Sequence, residues 1–108
     1  MNKSFKKIQN IALVVSKKIN HPQWVLFAEL IANQQISERP FLMAIDSLLE
    51  NGQDNKACEL LVLGCDVLKS SVNVLEKTVF TLRHFKKEGQ AIKLLKERIK
   101  TDPHDWHA

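Results

Sequence analysis

The chain says one thing twice. Lys56-Ala57-Cys58-Glu59-Leu60-Leu61 returns as Gln90-Ala91-Ile92-Lys93-Leu94-Leu95, with Ala57 and Ala91 34 residues apart. The register holds around it: Phe41 matches Leu75, Leu48 matches Leu82 and Leu61 matches Leu95. A small residue inside an apolar helical stripe lets a neighbouring helix approach closely, and the leucine a turn later fills the space beside it. A period of 34 is that of a helix–turn–helix unit, which cannot bury its apolar face alone and must stack on its neighbours. The expectation is therefore an all-α fold of three stacked antiparallel helix hairpins, about six helices in all.

Nothing in the rest of the chain opposes that reading. Only three Gly and three Pro are present, Tyr is absent, and no alternating runs bounded by turns argue for strands. A length of 108 residues allows one core and not two. A single helical-repeat domain over residues 1–103 with a short tail at 104–108 follows.

Six helices are predicted in order. The first, 4–19, has Phe5, Ile8, Ile11, Ala12 and Val15 at helical spacing, with Ser4 as N-cap. Asn20-His21-Pro22 breaks it, and Pro22 suits the opening turn of the second helix, where its missing N–H costs nothing. That helix, 22–35, turns Trp24, Phe27, Ala28 and Ile31 inward. The third, 38–50, follows a Ser37 cap, carries Phe41, Ala44, Ile45 and Leu48, and ends at Asn51-Gly52. The fourth, 54–69, is capped by Asp54 and is apolar nearly all round: Ala57, Leu60, Leu61, Leu63, Gly64, Val67 and Leu68 mark a helix covered on several sides. The fifth, 72–87, turns Leu75, Val79 and Leu82 inward. The sixth, 88–101, uses Ala91, Leu94, Leu95 and Ile99 before Asp102-Pro103 stops it. The first unit is a shortened repeat, since Ala28 to Pro40 matches the spacing of Ala91 to Pro103.

The chemistry-bearing residue types form no catalytic pattern. Gly52, Gly64 and Gly89 stand alone and make no phosphate-cradling loop. Cys58 and Cys65 lie seven apart on one apolar helix with no His nearby, so they read as reduced, buried thiols and not as a nucleophile. His104, Asp105 and His107 sit in a tail that supplies no preorganised metal geometry. Neither enzyme activity nor a cofactor is expected. No apolar run reaches the roughly 18 residues a spanning helix needs. Basic residues precede Ile11 to Val15, but Lys17-Lys18 interrupt the run and no small-residue cleavage site follows. A cytoplasmic protein without membrane insertion is expected. The net charge of +4 gathers at Arg83, Lys86, Lys87, Lys93, Lys96, Arg98 and Lys100. It is either a solvated face or a site for an anionic partner.

The later two units resemble tetratricopeptide repeats. Phe41, Ala44, Leu48, Gly52, Ala57, Leu61 and Gly64 fall where that motif has large, small, large, turn glycine, small, large and small residues. In the last unit Leu75, Leu82, Ala91, Leu95 and Pro103 fit. Ile45 and Val79 depart from it, standing where Gly or Ala is usual, and so does Arg98, where a small residue is usual. More narrowly, Ile11-Ala12-Leu13, Asn20-His21, Ala28-Glu29, Gly52, Asp54 and Ala57 together resemble the small repeat-containing chaperones of the type III secretion needle subunit. That resemblance implies capture of a polymerisation-prone needle subunit, jointly with a small helical co-chaperone that engages the first helix at Ile11, Leu13 and Val14.

Stacked hairpins line a groove with their first helices. Counting outward from the core positions puts Leu42, Asp46 and Leu49 of the third helix and Asn73, Glu76, Phe80 and Arg83 of the fifth on that face. Leu42, Leu49 and Phe80 are apolar where solvent favours charge. They either close a small core or anchor an amphipathic helix of a partner. The alternative function is a regulatory or nucleic-acid-associated adaptor using the basic last helices. Against it, only Phe80 and Phe85 are at hand to stack bases, and they do not interleave with the basic residues.

Overall fold

The computed structural model describes residues 3–101, all of them in helices or the short turns between. In chain order the helices are α1 (Lys3–Ser16), α2 (Pro22–Ala32), α3 (Glu38–Glu50), α4 (Asp54–Val67), α5 (Val72–His84) and α6 (Glu88–Thr101). The expected all-α hairpin array is present. Every boundary of the α3–α4 pair recurs 34 residues later in the α5–α6 pair, so the period seen in the residues is the period of the fold. Ala57 and Ala91 hold the fourth position of α4 and α6, and both are buried.

The helix ends explain where the expected boundaries shift. α2 stops at Ala32 and not at 35 because Gln34 takes a left-handed φ of 58°. α5 stops at His84 and not at 87 because Lys86 does the same at 59°. Gly52, at 73°, ends α3 as expected. After each of the three, the next N–H reaches back to a carbonyl of the helix: Gln35 to Leu30, Gln53 to Leu48 and Lys87 to Leu82. That pattern satisfies carbonyls a helix end otherwise leaves orphaned. α1 ends at Ser16, whose hydroxyl donates to the Ala12 carbonyl. α4 ends at Val67, two residues short of the expected 69.

The caps also differ in part. His21 Nδ1 accepts from Gln23 N–H at 3.3 Å, with Pro22 in the first turn. Ser71 Oγ accepts from Val74 N–H at 3.1 Å. Ser4 lies inside α1 and its hydroxyl donates to Asp66 of α4 at 2.6 Å. Ser37 is extended but makes no side-chain cap bond, and Asp54 lies one residue inside α4, whose N-cap is Gln53.

α1 packs on α2, α2 on α3, α3 on α4, and α4 back on α1, so the first four helices close into a ring. α5 continues from α4 with a lesser contact to α3, and α6 packs on α5. α4 therefore sits at the junction of ring and extension, which accounts for its nearly all-round apolar surface. The core joins Phe5, Ile8 and Val15 of α1 to Trp24, Phe27 and Ile31 of α2, Phe41, Ile45 and Leu48 of α3, and Leu60 and Leu61 of α4. Trp24 and Phe27 lie 5.4 Å apart, and Phe27 meets Phe41 edge-on at 5.9 Å, the favoured arrangement of aromatic pairs. Trp24 Nε1 donates to Ser16 Oγ at 3.0 Å.

α5 is turned about its axis from the expected setting. Its buried residues are Val74, Thr78, Thr81 and Leu82, whereas Leu75 and Val79 are half-buried. Thr78 can enter the core because its hydroxyl donates to the Val74 carbonyl at 2.7 Å and accepts from the Cys65 thiol at 3.1 Å. A polar atom so paired is buried at little cost. Thr78 stands where Ala44 stands one repeat earlier, a small side chain at each close crossing. Ala28, expected inward, is half-buried. The Asp102-Pro103 stop, the tail from His104 to Ala108 and the side chains of Arg98 and Ile99 lie outside the described residues.

Candidate interaction site

The inward stripe of α3, Phe41, Ala44, Ile45 and Leu48, fixes where its other residues go. Leu42 and Leu49 fall on its flank, half-buried against the edge of the core. Their closing of the core is real, and it leaves only part of each side chain open. Asp46 is exposed, and Lys77 of α5 reaches it at 3.0 Å. That pair ties α3 to α5 and sets the distance between them, though its solvent exposure keeps its worth to at most about 1 kcal/mol.

On α5 the same turn that buries Val74 and Thr78 sends Phe80 outward, 70% exposed. Phe80 and Leu49 line one open depression of about 330 Å³, together with Asp54, Lys77, Thr81, His84 and Phe85. The His84 ring lies parallel to Phe80 at 6.5 Å and meets Phe85 edge-on at 4.9 Å. Of the seven residues expected on this face, Leu49 and Phe80 are thus brought together, and Asp46 reaches the same place through Lys77. Asn73 is held elsewhere, its side-chain amide donating to Glu38 at 3.2 Å. Glu38 also accepts from Ser71, so this cluster fastens the N-terminal ends of α3 and α5. Glu76 and Arg83 are exposed on α5 and do not line the depression. Leu42 does not line it either.

Sequence reasoning missed Lys77, Asp54, Thr81, His84 and Phe85. The i, i+4 relation of Phe80 and His84 puts both on one helical face and was the available signal. Phe85 escapes helical counting because it is the C-cap of α5, at the turn.

On α1, Ile11 is a core residue at 6% exposure and offers no contact surface, a correction to its expected role. It shares the inward stripe with Ile8 and Val15, and only Leu13 and Val14 face out, at 67% and 45%. On α2, Val25 and Leu26 are also exposed.

Both cysteines are free and buried. Burial pushes the Cys58 thiol up, nearby Lys87 opposes this, and Asp54 adds to the rise. Such a thiol is held in its unreactive form. Seven residues along a helix separate the two by about 10 Å, too far for a disulfide. Among the described residues no His, Cys, Asp and Glu group could hold a metal ion, and no helix is long and apolar enough to cross a membrane. Comparison with family models, curated proteins and solved structures gives no significant match.

Proposed function

We propose that this chain is a helix-capturing chaperone whose α3–α5 face takes the apolar side of a partner's amphipathic helix, with Phe80 as the anchor. The needle subunit of a type III secretion system is the client that the sequence resemblance implies. The observation that carries the reading is the exposure of Phe80 beside Leu49 over a single depression. A side chain of this size left open on a small helical protein gains about 1.5–3 kcal/mol when a partner covers it. An interface of standard size needs roughly 800 Å² per partner, more than the depression offers. Glu76, Arg83 and the open part of Leu42 extend the face along the two helices and supply a rim. Occupying such a face withholds the client's self-assembling surface by mass action. Leu13 and Val14 are the places left for a co-chaperone on α1. A cytoplasmic setting, where a client would be held before export, fits this role.

The test is capture of a purified needle subunit by the protein and by Phe80→Asp. Phe80 supports no core contact, so the variant keeps its helicity, and its stability changes by no more than about 0.5 kcal/mol. Its affinity for the client falls by at least about tenfold, the equivalent of the lost burial. Undiminished capture by the variant rules out this face as the site. A salt titration separates the basic-face alternative, since nucleic-acid binding collapses with rising salt while apolar capture persists.

A further inference from the structure

α6 carries a copy of the surface with which α4 receives α5, and nothing in the described chain covers it. On α4 that surface includes Cys58, which packs with Leu82, Val79 and Phe85 of α5, and Leu61, whose carbonyl accepts from Thr78. One repeat later the same positions are Ile92 and Leu95 of α6. Cys58 is 3% exposed, whereas Ile92 is 52% exposed. Ile92 lines an open depression of about 400 Å³ with Gly89, Lys93, Lys96 and Glu97. The end of a repeat array is normally closed by a polar outer face. An isoleucine in the middle of this end is the opposite of a cap.

We propose that this face of α6 docks an acidic amphipathic helix from a partner protein, laid against α6 as α5 lies against α4. Charge selects the occupant. Glu59 of α4 recurs as Lys93 and the half-buried Val62 recurs as Lys96, so the copy has kept its apolar centre and changed the sign of its border. A helix bordered by Asp and Glu matches it. A second copy of this chain does not: α5 brings Lys77 and Arg83, and α1 brings Lys3, Lys6 and Lys7. The surface shares no lining residue with the depression under Phe80, so it stands independently of the function proposed above.

The probe is a fluorescein-labelled peptide with the α5 sequence Val72–His84 in which Lys77→Glu and Arg83→Glu supply the acidic border. Its binding to the full chain is read by fluorescence anisotropy. The expected result is saturable binding that weakens at least about tenfold with Ile92→Asp, and likewise with the Lys93→Glu/Lys96→Glu pair. Phe80→Asp leaves it unchanged, which separates this surface from the α3–α5 face. All these side chains are exposed, and melting followed by circular dichroism confirms that each variant remains folded. The two lysine reversals test the surface again without touching its apolar centre. No saturable binding, or equal binding by the wild-type chain and Ile92→Asp, overturns the proposal. So does a dimer of the unliganded protein, seen by sedimentation, that Ile92→Asp dissolves, since the face would then be a contact between copies.

Discussion

Lys86 occupies a conformation that L side chains reach only at a cost. Its φ of 59° puts it in the left-handed region, where a Cβ crowds the following carbonyl. It is nevertheless the residue that lets α5 end, because the next N–H can then bond to the Leu82 carbonyl at 2.7 Å. Gly52, 34 residues earlier, does the same work without a side chain. Lys86→Gly should therefore stabilise the protein by about 0.5–1 kcal/mol, the relief of strain exceeding the added freedom of the unfolded chain. Urea unfolding checks it: the midpoint rises with an unchanged slope. A lower midpoint would mean that the Lys86 side chain holds something the backbone alone does not. The contrast also shows what residues reveal about helix ends. Asn51-Gly52 announces its turn because glycine is the usual left-handed residue. Gln34 and Lys86 announce nothing, since either would sit equally well inside a helix.

Between elements, the closest packing is where Phe41 of α3 meets Gly64 of α4. A Cβ built on Gly64 falls inside the Phe41 ring, with Cε2 at 2.7 Å and Cε1 at 2.9 Å. Glycine inside a helix costs about 1 kcal/mol relative to alanine, so replacing it with alanine would stabilise an open helix. Here the ring is fully buried and cannot swing away. Gly64→Ala should destabilise by about 1–3 kcal/mol through overpacking. Adding Phe41→Leu, which removes the ring edge, should recover part of that loss and give a double-mutant coupling above about 0.5 kcal/mol. Additive effects would show that the ring is not what excludes the methyl. The small-residue pattern made Gly64 legible as a contact position, and the inward stripe of α3 was legible for the same reason, because all four of its residues are buried. The stripe of α5 was not. Thr78 and Thr81 look polar in a one-letter pattern, and only the tertiary partners of Thr78, the Cys65 thiol and the Leu61 carbonyl, show why a hydroxyl can face inward.

Across the whole molecule the apolar material is divided unequally. The ring of α1 to α4 holds most of the main core, whereas the second cluster is small, formed by Cys58, Leu82 and Ala91 with Val62, Val79 and Phe85 at its edge. The 34-residue period revealed the hairpins but not the closing of the ring, because α1 meets α4 through residues far apart in the chain with no repeat relation between them. The same closure moves α1 away from the stacked first helix that a simple array requires, and the open face is confined to α3 and α5. It also predicts where the fold gives way first. α4 buries Ala57, Cys58, Leu60, Leu61, Gly64 and Cys65, while of the described side chains in α6 only Ala91 is buried. Local openings are cheapest where the fewest apolar contacts must be broken. Native-state hydrogen exchange should therefore find α6 amides opening at least about 2 kcal/mol below those of α4, with a weaker dependence on denaturant because less surface is exposed. α4 should exchange only through global unfolding, since opening it breaks both the ring and the attachment of α5. Equal opening energies and slopes in the two helices would show instead that the second cluster couples the last hairpin to the ring as one cooperative unit.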